Sequence, residues 1–363
     1  MLFHFHLMKR ILTLSVTLFA SVICLAQSVI SGQVVDADTK LPLEGASVFA
    51  QNTTKGVITD KEGQYRIALN KGGYELIISF TGYASKTMNV EANEDKQLDI
   101  ELKKEDKSLS EVVVTASNEV ADGWEKHGAF FIAHFIGASP FAANCTLQNP
   151  EVLKFYYYKR SDKLKVLATE PLQIENRALG YHLRYELDSF VYYNKTDINT
   201  YRGNCLYTAM EGDTAQQQIW KANRGKAYYG SRLHFLRSYY DSTLKQEGFT
   251  VDMLLANNAT KFSRLANPYD TMYYGYDTAT ADVELWFPKK VSITYMKKAP
   301  EIEYLQQYHL PLDVKTQISY VDLLDAILIK PNGYFLDQKS WIAQGYWSWK
   351  NIGDQLPYDY EPE

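Results

Sequence analysis

Over the first hundred or so positions, apolar and polar residues alternate in short runs. Ile30, Gly32 and Val34 take every second place, as do Tyr65, Ile67 and Leu69, then Leu76, Ile78 and Phe80, then Leu98, Ile100 and Leu102. A period of two puts alternate side chains on one face, the pattern of a half-buried strand. Turn-forming clusters separate the runs: Asp36-Ala37-Asp38, Asn52-Thr53-Thr54, Asp60-Lys61-Glu62-Gly63, Lys71-Gly72-Gly73 and Asn93-Glu94-Asp95. Strands and turns recurring about every ten residues predict an all-β sandwich over 27–105. No stretch there has helical periodicity. Gly63 is expected at positive φ, closing a tight hairpin before the strand at Tyr65.

A polar segment, 106–123, reads as a linker, and the pattern then changes. Trp124, His127, Phe131, His134 and Phe135 recur at helical spacing. Val152 to Tyr158 and Leu164 to Ala168 flank Arg160-Ser161-Asp162-Lys163 as a hairpin. Gly180 precedes a long alternating strand, Tyr181 to Tyr193. Ser231 to Glu247 is expected as one helix, with Leu233, Leu236, Tyr240 and Leu244 on a shared face, Ser231 as N-cap and Gly248 at its end. Further strands are expected at Val283 to Phe287, Val291 to Met296 and Ala326 to Ile329. Residues 124–363 therefore read as an α+β domain with an antiparallel sheet.

The extreme N-terminus obeys neither pattern. Lys9-Arg10 precedes an uncharged apolar run from Ile11 to Ala26, followed by Gln27. This is the arrangement of a secretory signal peptide, 1–26, and the run is shorter than a membrane-spanning helix needs. Met1 and Met8 are both available starts. Ile23 before Cys24 does not suit a lipidation site. No later run approaches 18 uninterrupted apolar residues, so no transmembrane helix is expected after the leader is removed. The mature chain is expected to be exported, to the periplasm or in association with the outer membrane. The full sequence's net charge of -5 makes the protein a poor electrostatic partner for nucleic acid. Three cysteines exclude a disulfide-dense scaffold and a four-cysteine zinc site. Cys145 and Cys205 survive leader removal, and in an oxidising compartment they either pair or remain two separate buried thiols.

Several segments carry a family resemblance. Gly32-Gln33-Val34-Val35-Asp36 leads to Pro42-Leu43-Glu44-Gly45-Ala46-Ser47-Val48, then Gly56 to Tyr65, then Ser79-Phe80-Thr81-Gly82-Tyr83. In order and spacing this series resembles the carboxypeptidase regulatory-like domain, a transthyretin-like β-sandwich. The resemblance implies a non-catalytic module of the kind found at the N-terminus of Bacteroidetes-type envelope proteins, where it precedes the plug of TonB-dependent outer-membrane transporters. Leu109 to Ala116 resembles the segment that joins such a domain to a plug. The remaining 240 or so residues are too few for a plug and a large barrel. Pro171 to Tyr181, Gly345 to Trp349 and Leu356 to Tyr360 resemble Bacteroidetes envelope proteins of unassigned activity that share the N-terminal domain. That resemblance implies location, not chemistry.

Catalytic patterns are scarce. There is no His-Glu-x-x-His, no Gly-x-Ser-x-Gly and no phosphate-binding glycine loop. His127 and His134 lie two helical turns apart, about 10 Å along the axis, too far to share a metal unaided. Asp60 and Glu62 supply too few oxygens for calcium and suit a turn instead. Glu175 and Arg177 read as a surface ion pair, and His234 with Asp241 is a wide i,i+7 spacing. The basic cluster from Lys154 to Lys165 suits the exposed face of a hairpin. No cofactor, metal or catalytic residue is assigned, and the chain is read as a non-enzyme. All six Trp and 25 of the 28 Tyr lie in 124–363. Trp341, Tyr346, Trp347 and Trp349 form the densest group. In a strand, Trp347 and Trp349 would share one face and Tyr346 the other. These four are the candidate ligand-binding residues, for an envelope glycan or a partner protein, if at least two rings are exposed; otherwise they fill an α+β core. The alternatives are a periplasmic hydrolase with a distant carboxylate pair, as in glycosidases, and a small outer-membrane barrel.

Overall fold

The structure is a computed structural model that describes residues 27–104, 118–196, 198–255, 260–335 and 338–362. The leader expected over 1–26 lies outside the described residues, as does most of the linker.

The alternating N-terminal runs form eight strands and no helix: β1 (Ser28–Asp36), β2 (Ser47–Ala50), β3 (Gly56–Ile58), β4 (Gln64–Leu69), β5 (Gly72–Ser79), β6 (Lys86–Ala92), β7 (Lys96–Gln97) and β8 (Ile100–Leu102). One sheet runs β4-β1-β7, with β8 also on β1, and the other runs β3-β2-β5-β6. The inward positions are those that the alternation marks: Ile30, Val34, Ile67, Leu69, Leu76, Ile78, Ile100 and Leu102 are all buried between the sheets. The hairpin before β4 closes as expected. Gly63 sits at φ 71, and the amides of Glu62 and Gln64 donate to Asp60 Oδ1 at 3.0 and 2.8 Å.

Behind the sandwich lies the α+β region. Helix α1 (Gly123–Phe135) is followed by β9 (Cys145–Leu147), β10 (Leu153–Tyr158), β11 (Lys163–Ala168), β12 (Leu172–Asn176), β13 (Tyr181–Tyr193) and β14 (Ile198–Ala209). Every pairing among these strands is antiparallel. The long strand β13 is the spine: β14 runs along its whole length on one side, while β11 and β12 share the other. Phe131 and Phe135 of α1 stack at 4.9 Å, and Phe131 meets Phe190 edge-on, so the helix seals one face of this sheet.

The chain continues through α2 (Thr214–Tyr228), α3 (Arg232–Tyr240) and α4 (Leu244–Glu247) into β15 (Phe249–Leu254), β16 (Phe262–Arg264), β17 (Tyr274–Asp277), β18 (Asp282–Leu285) and β19 (Val291–Tyr295). After α5 (Ile302–Gln307) come β20 (Gln317–Leu323), β21 (Ile327–Ile329), β22 (Trp341–Gly345) and α6 (Tyr346–Trp349). A five-stranded antiparallel sheet, β16-β15-β19-β20-β22, and a three-stranded one, β17-β18-β21, enclose a second core with α3 against it. Among the described residues these sheets are open paths and do not close into a barrel.

The single helix expected from Ser231 to Glu247 is two helices. Ser231 does cap the first, its Oγ accepting from the His234 amide, and Gly248 at φ 92 does end the second. Between them Ser242 turns left-handed at φ 58, and the Thr243 amide reaches back to Ser238 O at 2.8 Å. Asp241, Ser242 and Thr243 have short polar side chains that compete for backbone groups, and they break the helix where periodicity alone carries it through. Helix α2 was not expected. Its start shows in Asp213, which accepts from the Gln216 amide as an N-cap, and its buried face in Trp220 and Tyr228.

The sandwich is bound to the rest by backbone as well as side chains. Asn52 N donates to Cys205 O at 2.6 Å, and Tyr207 N donates to Thr53 O at 2.9 Å, so the β2–β3 loop lies along β14. The C-terminal tail closes the seam: Tyr358 N donates to Asn52 O at 2.7 Å, and Thr54 N donates to the Asp359 carboxylate at 2.9 Å. Arg237 of α3 fastens that tail, donating to the carbonyls of Asn332, Tyr358 and Tyr360.

Candidate ligand-binding cavity

The four candidate aromatic residues do not form an exposed strand face. Tyr346 to Trp349 are a single helical turn, α6, because Gly345 at φ 75 ends β22 and redirects the chain. Trp341, Tyr346, Trp347 and Trp349 are 7%, 2%, 8% and 3% exposed. The expectation of an open stacking platform is therefore corrected: α3, α5 and the five-stranded sheet cover the rings. Trp349 turns away toward α5, where its Nε1 donates to Gln307 Oε1 at 2.8 Å. The other three line one cavity of about 220 Å³ from within.

That cavity lies where the sheet of β14, the N-terminus of α3, β22 and the C-terminal tail converge. Tyr201 and Tyr207 come from β14, Gly230 to Leu233 from the start of α3, and Gln355 and Tyr358 from the tail. Gly230 is a close-packed corner. It sits at φ 87, and a Cβ there would lie 2.5 Å from Gln317 Oε1. Its amide donates to His234 Nδ1 at 3.1 Å, and its carbonyl accepts from Trp347 Nε1 at 2.8 Å. Because Nδ1 accepts, the His234 proton is on Nε2, which faces Glu247 Oε2 at 3.0 Å. Burial lowers the His234 pKa, with Glu247 opposing. The widely spaced Asp241 is not its partner.

The polar groups of the wall divide into a satisfied set and an unsatisfied one. Lys350 Nζ donates to Glu301 Oε1 at 3.0 Å and to Asp354 Oδ1 at 2.9 Å. Lys298 lies 3.6 Å from the same Glu301, Tyr346 donates its hydroxyl to Glu301, and Ser139 donates to Asp354 at 2.5 Å. Burial pushes the Asp354 carboxyl up, with Lys350 and Ser139 pulling it back, and burial also lowers Lys298. Both carboxylates are thus engaged by internal cations.

The unsatisfied set is Arg232, Gln317 and Trp341. Among the described residues Arg232 has no carboxylate or hydrogen-bond partner, only the Phe335 ring 5.8 Å beneath its guanidinium. Burial raises the phenol pKa values of Tyr201 and Tyr358, and the Arg232 charge lowers both, so the guanidinium stands near the two rings. Gln317 Nε2 donates to Ala299 O and Tyr346 Oη, each at 3.1 Å, which fixes the amide with Oε1 toward Gly230. That Oε1, like the indole Nε1 of Trp341, is buried with no partner among the described residues. Sequence reasoning missed Arg232 and Gln317. The one signal for Arg232 was its place directly after a capping serine.

Other candidates resolve simply. Cys145 and Cys205 do not pair. Cys145 is on β9 and Cys205 on β14, three strand steps apart through β12 and β13, about 14 Å at ordinary strand spacing against the roughly 7 Å limit for a bridge. Burial pushes the Cys145 thiol up to about 12 and raises Cys205 as well, so both are inert small hydrophobes. Glu175 and Arg177 form the expected surface pair, with Arg177 Nε 3.1 Å from Glu175. His127 stacks near Phe155 and Tyr157, and His134 Nδ1 lies 2.8 Å from Phe130 O.

Residues 30–114 match the family model of the CarboxypepD_reg-like domain, and the N-terminal sandwich is such a domain. TonB-dependent receptor P39 of Formosa agariphila is 36% identical over 94 residues, which are 26% of this chain and 9% of that receptor. TonB-dependent receptor SusC of Bacteroides thetaiotaomicron is 32% identical over 112 residues, 31% of this chain and 11% of that receptor. The chain thus spans about a tenth of the length of these relatives. Among solved structures, a type II cohesin–X-dockerin complex from Acetivibrio cellulolyticus matches at 26% identity over 23% of this chain and 61% of that chain, with a TM-score of 0.20.

Proposed function

We propose that this chain is an exported envelope protein that binds a ligand without transforming it. The CarboxypepD_reg-like sandwich serves as a docking module, and the cavity beside α3 takes a glycan unit or a segment of a partner. The partial likeness to two TonB-dependent receptors supports the compartment. The observation that carries the binding role is an aromatic-walled cavity whose lining includes the Arg232 guanidinium, which has no carboxylate or hydrogen-bond partner among the described residues. A concave, ring-lined site with a few polar groups is the usual form of a small-ligand pocket, and an unpaired guanidinium supplies a polar anchor for an occupant. The nearby carboxylates, Glu301 and Asp354, are both held by Lys350, which supports binding over hydrolysis. Its volume is below the roughly 300–1,000 Å³ of usual ligand pockets, so it fits one ring and not an extended oligosaccharide.

The test is a thermal-shift and tryptophan-emission screen of the mature protein with neutral and acidic monosaccharides and short peptides. Ala343 of β22 lines the cavity. Ala343→Phe fills it without removing a side-chain contact, and should leave Tm within a few degrees of wild type while abolishing the ligand-induced shift. No saturable response in the wild type, or an equal response in Ala343→Phe, would overturn the binding role.

A further inference from the structure

The charges around the cavity are unequal in a way that specifies its ligand. Lys298 and Lys350 are balanced by Glu301 and Asp354. Among the described residues neither Lys226 nor Arg232 has such a counter-charge, and of the two Lys226 is exposed while Arg232 is partly buried. In a chain whose acidic residues outnumber its basic ones, an arginine held beside buried aromatics without a carboxylate stands out. A guanidinium presents its donors in a planar fork that matches the two oxygens of a carboxylate or phosphate. Arg232 also opens α3, and the first amides of a helix have no internal acceptor and favour negative charge.

The rest of the lining carries complementary features. The rings of Trp341, Tyr346 and Trp347 offer flat apolar surface, and Ser231, Asn351 and Gln355 add polar side chains to the same lining. An uncharged hydrophobic ligand would leave the Arg232 fork unpaired. A bare inorganic anion would leave the aromatic wall unused.

Resting on the binding role proposed above, we infer that the cavity recognises a single-ring, hydroxylated ligand bearing one anionic group, a carboxylate or phosphate ester, with Arg232 holding the anion and the Trp341, Tyr346 and Trp347 rings holding the ligand ring. An acidic or phosphorylated monosaccharide has this chemistry.

The experiment is isothermal titration of the mature full chain with glucuronate, glucose 6-phosphate, glucose and inorganic phosphate. Either acidic sugar should bind about ten- to a hundredfold more tightly than glucose, the usual weight of a charge-assisted hydrogen bond. The two acidic probes distinguish carboxylate from phosphate. Arg232→Gln should reduce the preferred acidic sugar to the affinity of glucose, and Arg232→Lys, which keeps the charge but loses the fork, should fall between. If Arg232→Gln does not fold, salt provides the same reading in the wild type. Affinity for the acidic sugar should fall between about 0.05 and 0.5 M NaCl while that for glucose holds. Equal binding of glucose and the acidic sugars would overturn the anion assignment and leave the cavity as a binding site. Inorganic phosphate binding as tightly as glucose 6-phosphate would overturn the role of the ring. Absence of binding by every probe, in a protein that responds to other members of the screen, would overturn this inference alone; no response to anything would remove both.

Discussion

The sandwich and the region behind it are both rich in antiparallel strands, yet they bury different things. Between the sheets of the sandwich the side chains are mostly aliphatic, with Tyr65 and Tyr74 as the aromatic exceptions. Around α3 the core is dominated by rings, among them Phe235, Tyr239, Phe249, Phe335, Trp341 and Trp347. Aliphatic side chains fill a layer and ask for no partner. Tyrosine and tryptophan bring a polar atom with each ring, and that atom must be paired once buried. Trp347 finds Gly230 O and Tyr239 finds two carbonyls, whereas Trp341 Nε1 finds no partner among the described residues. A core of rings is stable and imperfectly closed, and the imperfection is where the cavity lies.

The most forceful way to break this comparison is to separate the two regions. Lys330, on the loop after β21, is 4% exposed and reaches Glu91 of the sandwich at 2.5 Å and Asp282 of β18 at 2.7 Å. Asn332 beside it donates to Gly73 O at 3.0 Å. Lys330→Met leaves the buried Asp282 without its cation, a change that costs about 3–5 kcal/mol. Glu91, on the more exposed side, should cost less as Glu91→Gln. The readout is built in, since the sandwich contains no tryptophan. Urea unfolding followed by tryptophan emission and by far-ultraviolet circular dichroism should coincide in the wild type and diverge in Lys330→Met as the sandwich separates. Coincident curves at an unchanged midpoint would show that the ion cluster does not join the regions.

A second prediction addresses the aliphatic core. Ile78 of β5 is completely buried opposite Val48 of β2. Ile78→Ala should cost about 2–5 kcal/mol, because aliphatic neighbours on strands relax little into the space left. If the ring-rich core tolerates imperfection better, Leu236→Ala on α3, whose side chain lines the cavity, should cost less than Ile78→Ala. Denaturation midpoints of the two variants test this directly, and a larger loss at Leu236 would reverse the comparison.

The same contrast explains what could be read from the chain. In the sandwich one face of each strand is dry, so the alternation through Ile30, Ile67, Leu76 and Ile100 is enough to mark the inward side. Long strand β13 and helix α1 were legible for the same reason. Helix α2 was not, because most of it is polar and only Trp220 and Tyr228 are fully buried. Strand β12 went unread because its alternation is short: only Leu172 and Ile174 are apolar, and its third inward place is the polar Asn176. The candidate site was legible in part. Clustering of Trp341, Tyr346 and Trp347 singled out three residues that line the cavity, but the period-two reading failed because Gly345 redirects the chain into a turn of helix. Arg232 and Gln317 are 85 positions apart, and nothing local marks either as part of one wall.

The smallest expected effect concerns acidity, and it tests whether the cavity corner is a fixed element. His234 is buried with Nδ1 accepting from the Gly230 amide and Nε2 donating to Glu247. A second proton would place Nδ1–H against the Gly230 N–H. Burial lowers the folded pKa, Glu247 raises it, and Lys297 and Arg237 lower it further; Tyr228, Tyr229, Phe249 and Tyr295 surround the ring. The unfolded chain therefore binds the proton more readily than the folded one. The stability that neutral His234 supplies is complete above its ordinary value of about 6.5 and is lost as pH falls below it. Carboxylates raised by burial, Asp354 and Asp241, act in the opposite direction on acidification, so the wild-type slope alone mixes several groups. The informative quantity is the difference between wild type and His234→Gln, whose amide oxygen can still accept from Gly230. Melting curves from pH 7.5 down to 5 should show the wild type losing stability relative to the variant, with ligand affinity at the Gly230 corner falling in parallel. Parallel melting profiles would mean that the imidazole is a passive packing group and that the corner is held by Trp347 alone.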